Sequence, residues 1–228
     1  MAESAFEVGR LSEAQSWASL GLQRATTSTI KQNAADIGKL HTLMSAVLLE
    51  WNDTQRALSH SSLAINHAES QFDSSQAVDA HLQAAAVAAA TGNRDAALRH
   101  LDEARQAALT SAVDIATQER LAMQHAAVMI DLGEIRQAEH WRIRATHGVD
   151  SEDPIAEALR LREQVASGNL TDIGEDAIKL LRSLRSDASL RTRIEVGTAS
   201  AVALEAAGRR NEAIVILSTT VQLGESEG

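Results

Sequence analysis

The sequence predicts an all-α solenoid of about six antiparallel helix pairs, each about 40 residues long, forming one domain over residues 1–228. Composition is the first observation: 44% of the residues are hydrophobic, but only 2% are aromatic and there is a single proline. Alanine, which supplies much of the apolar content, is the best helix former. The other two observations are apolar residues at helical spacing and a turn pattern that recurs along the whole chain.

The recurring pattern is a turn residue followed five positions later by an alanine. It appears as GRLSEA, NDTQRA, GNRDAA, GEIRQA and GRRNEA, and a looser copy between Gly168 and Ala177 carries four extra residues. Successive anchoring alanines are 43, 40, 41, 39 and 36 residues apart: Ala14, Ala57, Ala97, Ala138, Ala177 and Ala213. Such a repeat predicts stacked supersecondary units that bury a continuous core.

A helix is predicted before each turn and a second helix after it. The first helices are predicted over 30–50, 78–91, 113–132, 154–167 and 188–207, each with apolar residues at i, i+3, i+4 and i+7. Asp153 followed by Pro154 is a strong start signal, because proline suits the first helical turn. Only eight residues precede Gly9, so the first helix of the first unit is expected to be short or missing.

The third unit, TGNRDAALRHLDEARQAA, carries the closest likeness to a known family. Its Gly92, Ala97, Leu101 and Ala104 stand at turn and second-helix positions, and Ala85 stands where a small first-helix residue belongs. The chain therefore resembles the tetratricopeptide repeat along nearly its whole length. The resemblance implies a right-handed superhelix that acts as a binding scaffold and not as an enzyme. The long, degenerate units look like those of bacterial regulators, including peptide-responsive transcription factors.

Two features depart from that family. The unit is nearer 40 residues than the family's ~34, so the helices are longer. Arg142 and Ser61 stand where the family has an apolar residue, and the neighbouring Trp141 and Leu63 are expected to fill those places.

Charge and cysteine content exclude several classes of function. The net charge is −10 and the basic residues are scattered, whereas a nucleic-acid surface needs clustered Lys and Arg. There is no cysteine, so disulfides and thiolate metal sites are excluded. The N-terminus lacks the pattern of a signal peptide, and no apolar run reaches the ~18 residues that a membrane span needs. We expect a soluble, cytoplasmic protein.

Catalytic and cofactor motifs are missing from the sequence. Neither GxxxxGK[ST], GxGxxG, GxSxG nor HExxH occurs, so no catalytic residue, cofactor or metal ligand is predicted. His60 and His67 lie two helical turns apart, ~10.5 Å, which is too far for one metal ion to bridge. The same spacing separates His140 from His147, and we interpret these histidines as solvated or interfacial. The tryptophans at 17, 51 and 141 are predicted core residues, with ligand stacking as the alternative.

The inner, concave face of the solenoid is the remaining candidate site. In the family the first helices line this face and bind extended peptides or helices. Matching the registers places eleven residues of this chain there: Lys39, Thr42, Glu50, Asp79, Gln83, Arg120, Gln124, Asp131, Arg162, Glu195 and Thr198. An ordinary solvated helix face is the alternative.

Three functions remain open from the sequence. The first is a protein- or peptide-binding module, serving as the sensor or scaffold of a bacterial regulatory system. The second is a structural module that forms homo-oligomers, for example a homodimer through the solenoid ends, which look uncapped. The third is a helical-repeat enzyme whose residues are too scattered to recognise.

Overall fold

A computed structural model describes residues 1–27, 34–110, 114–146 and 153–225. These residues form twelve α-helices and contain no β-strand. In chain order the helices are α1 Ala2–Glu7, α2 Leu11–Thr27, α3 Ala34–Glu50, α4 Thr54–Gln71, α5 Ser74–Ala90, α6 Arg94–Thr110, α7 Ile115–Asp131, α8 Ile135–Ala145, α9 Pro154–Ser167, α10 Ile173–Ser183, α11 Leu190–Ala206 and α12 Arg210–Gly224.

The helices form two layers. Each odd-numbered helix packs against the even-numbered helix that follows it, which gives six pairs. The odd-numbered helices also contact one another in succession, from α1 to α11. They therefore form a continuous inner row, and the predicted all-α solenoid of six helix pairs is confirmed.

Most of the turns within pairs depend on a left-handed residue. Gly92, Gly133 and Gly208 have φ of 72°, 75° and 76°, a conformation that glycine adopts without steric cost. In the second pair Asn52 takes this place with φ of 58°. Asparagine tolerates this region better than most residues, so the repeat survives the loss of its glycine.

Two predicted helix boundaries need comment. The helix predicted from residue 78 begins four residues earlier, at Ser74, because the Asp73 side chain accepts a hydrogen bond from the backbone N–H of Gln76. The polar run Ser74 to Gln76 hid this first turn from the hydrophobic pattern. The predicted starts at 30 and 113 lie outside the described residues.

The core is built on small residues at helix crossings. Five of the six anchoring alanines are fully buried, and Ala213 is 6% exposed. On the facing helices, Ser45 and Ala85 are also fully buried. The absence of a larger side chain lets paired backbones approach closely, so dispersion contacts accumulate along each pair.

Two polar residues at predicted apolar positions are accommodated in different ways. Ser61 is buried and its hydroxyl donates to the carbonyl of Leu58. Arg142 donates to Glu163 at 3.0 Å in a largely buried ion pair. The prediction that Leu63 fills the place of Ser61 was wrong, because Leu63 is 44% exposed.

The tryptophans differ in their environments. Trp51 packs against two of the buried clusters, and Trp141 packs against the cluster around Val78 and Leu101. Trp17 is 36% exposed and its Nε1 lies 3.4 Å from a carboxylate oxygen of Glu13. The core prediction therefore fails for Trp17, which lies on the outer side of its helix.

The inner row curves so far that its two ends meet. α1 is a single short helix of six residues, as the sequence predicted. The guanidinium of Arg191, at the start of α11, lies 4.4 Å from the ring centre of Phe6 on α1. It also forms an ion pair of 3.0 Å with Glu50 at the end of α3. These side-chain contacts therefore link the last of the first helices to α1 and α3 across the groove.

The turn at Gly9 is part of this closure. Gly9 has φ of +89°, and a Cβ there would lie 2.9 Å from both the backbone nitrogen of Arg191 and the Cβ of Leu190. Gly92 has the same left-handed backbone, but a Cβ there would meet nothing within 4 Å. Both glycines thus have a left-handed backbone, but only Gly9 lies against α11.

We predict that Gly9→Ala destabilises the chain more than Gly92→Ala does. Both variants pay roughly 1–2 kcal/mol for an alanine in the left-handed region. Gly9→Ala also overpacks the contact with α11, which adds about 1–3 kcal/mol. Urea unfolding of the two variants and the wild type measures this difference, and equal losses for both variants would show that α1 does not pack on α11.

Candidate functional site

Two adjoining chambers make up the inner groove. The first, which we call the polar chamber, has a volume of about 650 Å³ and is lined by α1, α3, α5, α7 and the start of α11. Most of its lining side chains are hydrogen-bonding groups, including Lys39, Thr42, Gln76, Asp79, Gln83 and Gln124. A surface of this kind can hold a peptide backbone and its charged side chains.

The second, which we call the apolar chamber, has a volume of about 770 Å³ and lies between α7, α9 and α11. Each of these helices faces it with residues three or four positions apart, as one helix face requires. Aliphatic and methionine side chains predominate in its wall, including Met123, Ile130, Ile155, Leu159, Ile194 and Val202. Arg120, Gln124 and Arg191 line both chambers and so mark the boundary between them.

Three arginines form ion pairs between first helices, two of them between neighbours in the row and one between α11 and α3. Arg120 on α7 forms an ion pair of 2.9 Å with Asp79 on α5, and Arg162 on α9 forms one of 2.6 Å with Asp131 on α7. Arg191 on α11 reaches Glu50 on α3, while its Nε donates to Glu195 at 3.1 Å. These pairs are partly exposed, so each contributes little stability and chiefly sets side-chain positions.

Burial changes the acidity of the carboxylates in these pairs. Desolvation raises the pKa of Asp79 above its ordinary value, and the charge and hydrogen bond of Arg120 only partly offset this. Desolvation likewise raises the pKa of Asp131 against the opposing effect of Arg162. Charges on the groove wall are therefore less well solvated than surface charges, which strengthens any electrostatic contact made there.

The structure brings all eleven sequence-predicted residues to this groove or its ion pairs. Six line the polar chamber: Lys39, Thr42, Asp79, Gln83, Arg120 and Gln124. Three more, Arg162, Glu195 and Thr198, line the apolar chamber together with Arg120 and Gln124. Glu50 and Asp131 line neither chamber but hold Arg191 and Arg162. Their role in binding stays a prediction.

The sequence pattern did not predict the apolar wall of the groove or the contact of Arg191 with α1 and α3. Ile155, Leu159 and Ile194 have the spacing of ordinary core residues, so their sequence pattern did not separate groove from core. Arg191 and Phe6 are 185 positions apart, and no local pattern predicts their contact. Only the curvature of the row brings them together.

Histidines pair at equivalent positions of two successive repeats. Nδ1 of His41 lies 2.8 Å from Nδ1 of His60, and Nδ1 of His81 lies 3.2 Å from Nδ1 of His100. Both pairs join a first helix to its second helix with a spacing of 19 residues. His41 and His81 are 40 positions apart, as are His60 and His100, and 40 residues is the length of the repeat. This spacing is the sequence signal for the two pairs.

Burial keeps these imidazoles neutral. It lowers the pKa of His41 to about 4, with the neighbouring His60 and His67 acting in the same direction. It also lowers the pKa values of His60, His81 and His100. One neutral ring of each pair can donate to the other, so the contacts fit interfacial hydrogen bonds.

Within the ranges that the structure describes, no group of three or more His, Asp or Glu residues is arranged to hold a metal ion. No helix in the same part of the chain is long and apolar enough to cross a membrane.

Stacked helix pairs around an inner groove define a helical-repeat module of the tetratricopeptide class. A family model described as the MalT-like TPR region matches residues 1–228, and the chain belongs to this family. No curated protein matches the sequence, and no solved structure matches it. The family places the chain among the helical-repeat regions of MalT-type regulators.

We predict that His125 makes the fold sensitive to acid. His125 is 4% exposed, its ring is stacked 4.0 Å from Trp141, and burial lowers its pKa to about 4. Between about pH 6.5 and pH 4 the unfolded chain binds a proton that the folded chain excludes, so stability falls as the pH falls through this window.

Urea unfolding at pH 7, 6 and 5 measures the effect. His125→Phe keeps a stacked ring without a titratable group, so its free energy of unfolding should fall by about 2 kcal/mol less between pH 7 and pH 5 than that of the wild type. The raised pKa values of Asp79 and Asp131 act in the opposite direction at lower pH, so the comparison stops at pH 5. Identical slopes for both proteins would contradict the prediction.

Proposed function

We propose that this chain is a non-enzymatic regulatory module that recognises a protein or peptide segment in its inner groove. The observation that carries the proposal is the polar chamber, where side chains from five helices converge on one cavity of about 650 Å³. Membership of the MalT-like TPR region supports a regulatory setting, and repeats of this class generally mediate protein interactions.

Donors and acceptors both line the polar chamber. Lys39 and Gln124 are exposed, while Gln83 and Asp79 are half-buried on α5. A peptide laid across the inner row would meet an ammonium, amides and a carboxylate, which can pair with the N–H and C=O groups of an extended backbone. Because acids and bases are mixed, specificity would depend on the order of charges in the ligand and not on its net charge.

Lys39 offers a direct test because the chain has a matched lysine elsewhere. Lys39 on α3 lines the polar chamber, whereas Lys179 is exposed on α10, outside both chambers. Peptides selected from a random library on the wild-type chain provide the ligands. Lys39→Glu should weaken their binding about tenfold, as expected for a lost charge-assisted contact, and Lys179→Glu should change it less than about twofold.

Isothermal titration of three or four selected peptides gives the affinities, and circular dichroism checks that both variants fold. Equal affinities for Lys39→Glu and the wild type would place the peptide outside the polar chamber. A library that yields no binder at all would contradict peptide recognition altogether.

A second candidate function is self-association, which the outer face of α12 favours. The position four residues after the anchoring alanine is buried in three earlier units. Its occupants there, Ala18, Ser61 and Leu101, are at most 1% exposed. The equivalent Leu217 on α12 is 47% exposed. The same position is therefore buried in those earlier units and open on α12.

Other apolar residues extend this open face. Ile214 and Val221 share the helix face of Leu217 and are 53% and 52% exposed. No charged residue occurs between Ala213 and Gly224. Two copies of α12 packed against each other would bury this stripe without burying a charge, and we propose this packing as the contact of a homodimer.

The absence of cysteine makes a simple cross-linking test possible. With Leu217→Cys as the sole thiol, mild oxidation should give a disulfide-linked dimer, because a residue at the centre of a twofold contact meets its own copy. Leu58→Cys is the control, since Leu58 is 51% exposed on α4. Light scattering of the wild type should give the mass of a dimer that survives dilution. A monomer, or equal cross-linking at both positions, would contradict self-association through α12.

A further inference from the structure

We propose that the apolar chamber is a separate site for a small anionic amphiphile, a molecule with one carboxylate or phosphate attached to an aliphatic body. This goes beyond peptide recognition, because it assigns a second ligand class to a different part of the groove. The proposal depends on the size of the chamber, its wall and the charges at its boundary.

Size favours a small ligand over a folded segment. The chamber has a volume of about 770 Å³, within the range of roughly 300–1,000 Å³ typical of small-molecule sites. The contact of Arg191 with Phe6 and Glu50 closes the groove between α11 and the first two helix pairs. An α-helix is ~10 Å across, so a volume of this size would hold only about two turns of one, whereas it is ample for a single alkyl chain.

The wall is suited to an aliphatic body. Leu159 is buried in the floor, Ile155 and Ile194 are half-buried beside it, and Val202 is 47% exposed at the far end of α11. Covering this surface removes apolar area from water, which stabilises a complex by about 25 cal/mol for each Å². An exposed valine beside half-buried isoleucines forms an apolar surface that solvent otherwise covers.

The boundary with the polar chamber is suited to an acidic head group. Arg120, Arg162 and Arg191 line the apolar chamber, and each contacts a carboxylate, so the boundary presents guanidinium donors held in ion pairs and not a net positive charge. A guanidinium has five N–H donors, and the ion pair of Arg120 with Asp79 leaves most of them for a ligand.

Arg191 lies at the same boundary but is occupied by this chain. Its Nη2 contacts Glu50, its Nε donates to Glu195 and its guanidinium lies over Phe6. Its Nη1 is shielded from solvent, so a ligand does not reach it. The amphiphile would therefore lie with its head at Arg120 and its chain towards Val202.

Three matched probes test the proposal on the 228-residue chain: decanoate, decanol and decyltrimethylammonium, all kept below the concentrations at which they form micelles. Isothermal titration should give saturable binding of decanoate with one site per chain. Decanol lacks the charge and should bind about tenfold more weakly, the loss expected for one charge-assisted contact. The cation offers no acceptor to the guanidinium N–H groups and should bind no more tightly than decanol.

Variants locate the site. Val202→Glu places a carboxylate at the chain end of the chamber and should weaken decanoate binding at least tenfold, by about the 1.4 kcal/mol that corresponds to a factor of ten. Val215→Glu is the control, since Val215 is exposed on α12, outside the chamber. Arg120→Gln should weaken decanoate but leave decanol unchanged. Thermal melting checks that each variant folds.

Several results would overturn the proposal. They are the absence of saturable decanoate binding, equal binding of decanoate and decanol, or a loss caused by Val215→Glu and not by Val202→Glu. The last result would assign the ligand to the apolar face of α12. Peptide binding to the polar chamber is measured separately, so it can stand while the amphiphile site fails, and the amphiphile site can stand while peptide binding fails.

Discussion

Close approach of paired helices at buried alanines is the constraint on which the rest of this structure depends. A fully buried Ala97 or Ala138 leaves room for no side chain larger than a methyl group at the crossing of a pair. The first helix of each pair then packs on the first helix of the next pair. This stacking turns six hairpins into a single curved row, and the curvature creates the groove.

Curvature also explains why the ends of the row meet. A short α1 and a glycine at position 9 let the backbone of α11 approach within contact distance. Arg191 then uses this proximity for both a cation–π contact with Phe6 and an ion pair with Glu50. A longer first helix or a larger residue at position 9 would hold the two ends apart. The enclosed groove is thus a product of small residues at the crossings and at the closure.

Division of the groove into two chambers follows from the composition of the inner helices. The inner faces of α3 and α5 carry Lys39, Thr42 and Gln83, whereas those of α9 and α11 carry Leu159 and Ile194. All these residues occupy groove-facing positions of first helices, so the fold does not dictate their polarity. A uniformly solvated face would have polar residues throughout. The apolar half therefore carries information about a ligand that the repeat architecture does not require.

The sequence by itself determined the helix pairs and their period. Local signals suffice for these features, because the turn glycines, the anchoring alanines and the apolar spacing act within about 40 residues. The polar groove residues, such as Arg120 and Gln83, were found by matching the register of the repeat to the family, whose first helices line the inner face. Tertiary structure alone decided what those residues contact. The pairing of Arg191 with Glu50 and the burial of Ser61 in place of Leu63 depend on how successive pairs are rotated against each other. That rotation is a sum of small packing differences over six units, and no single stretch of sequence encodes it.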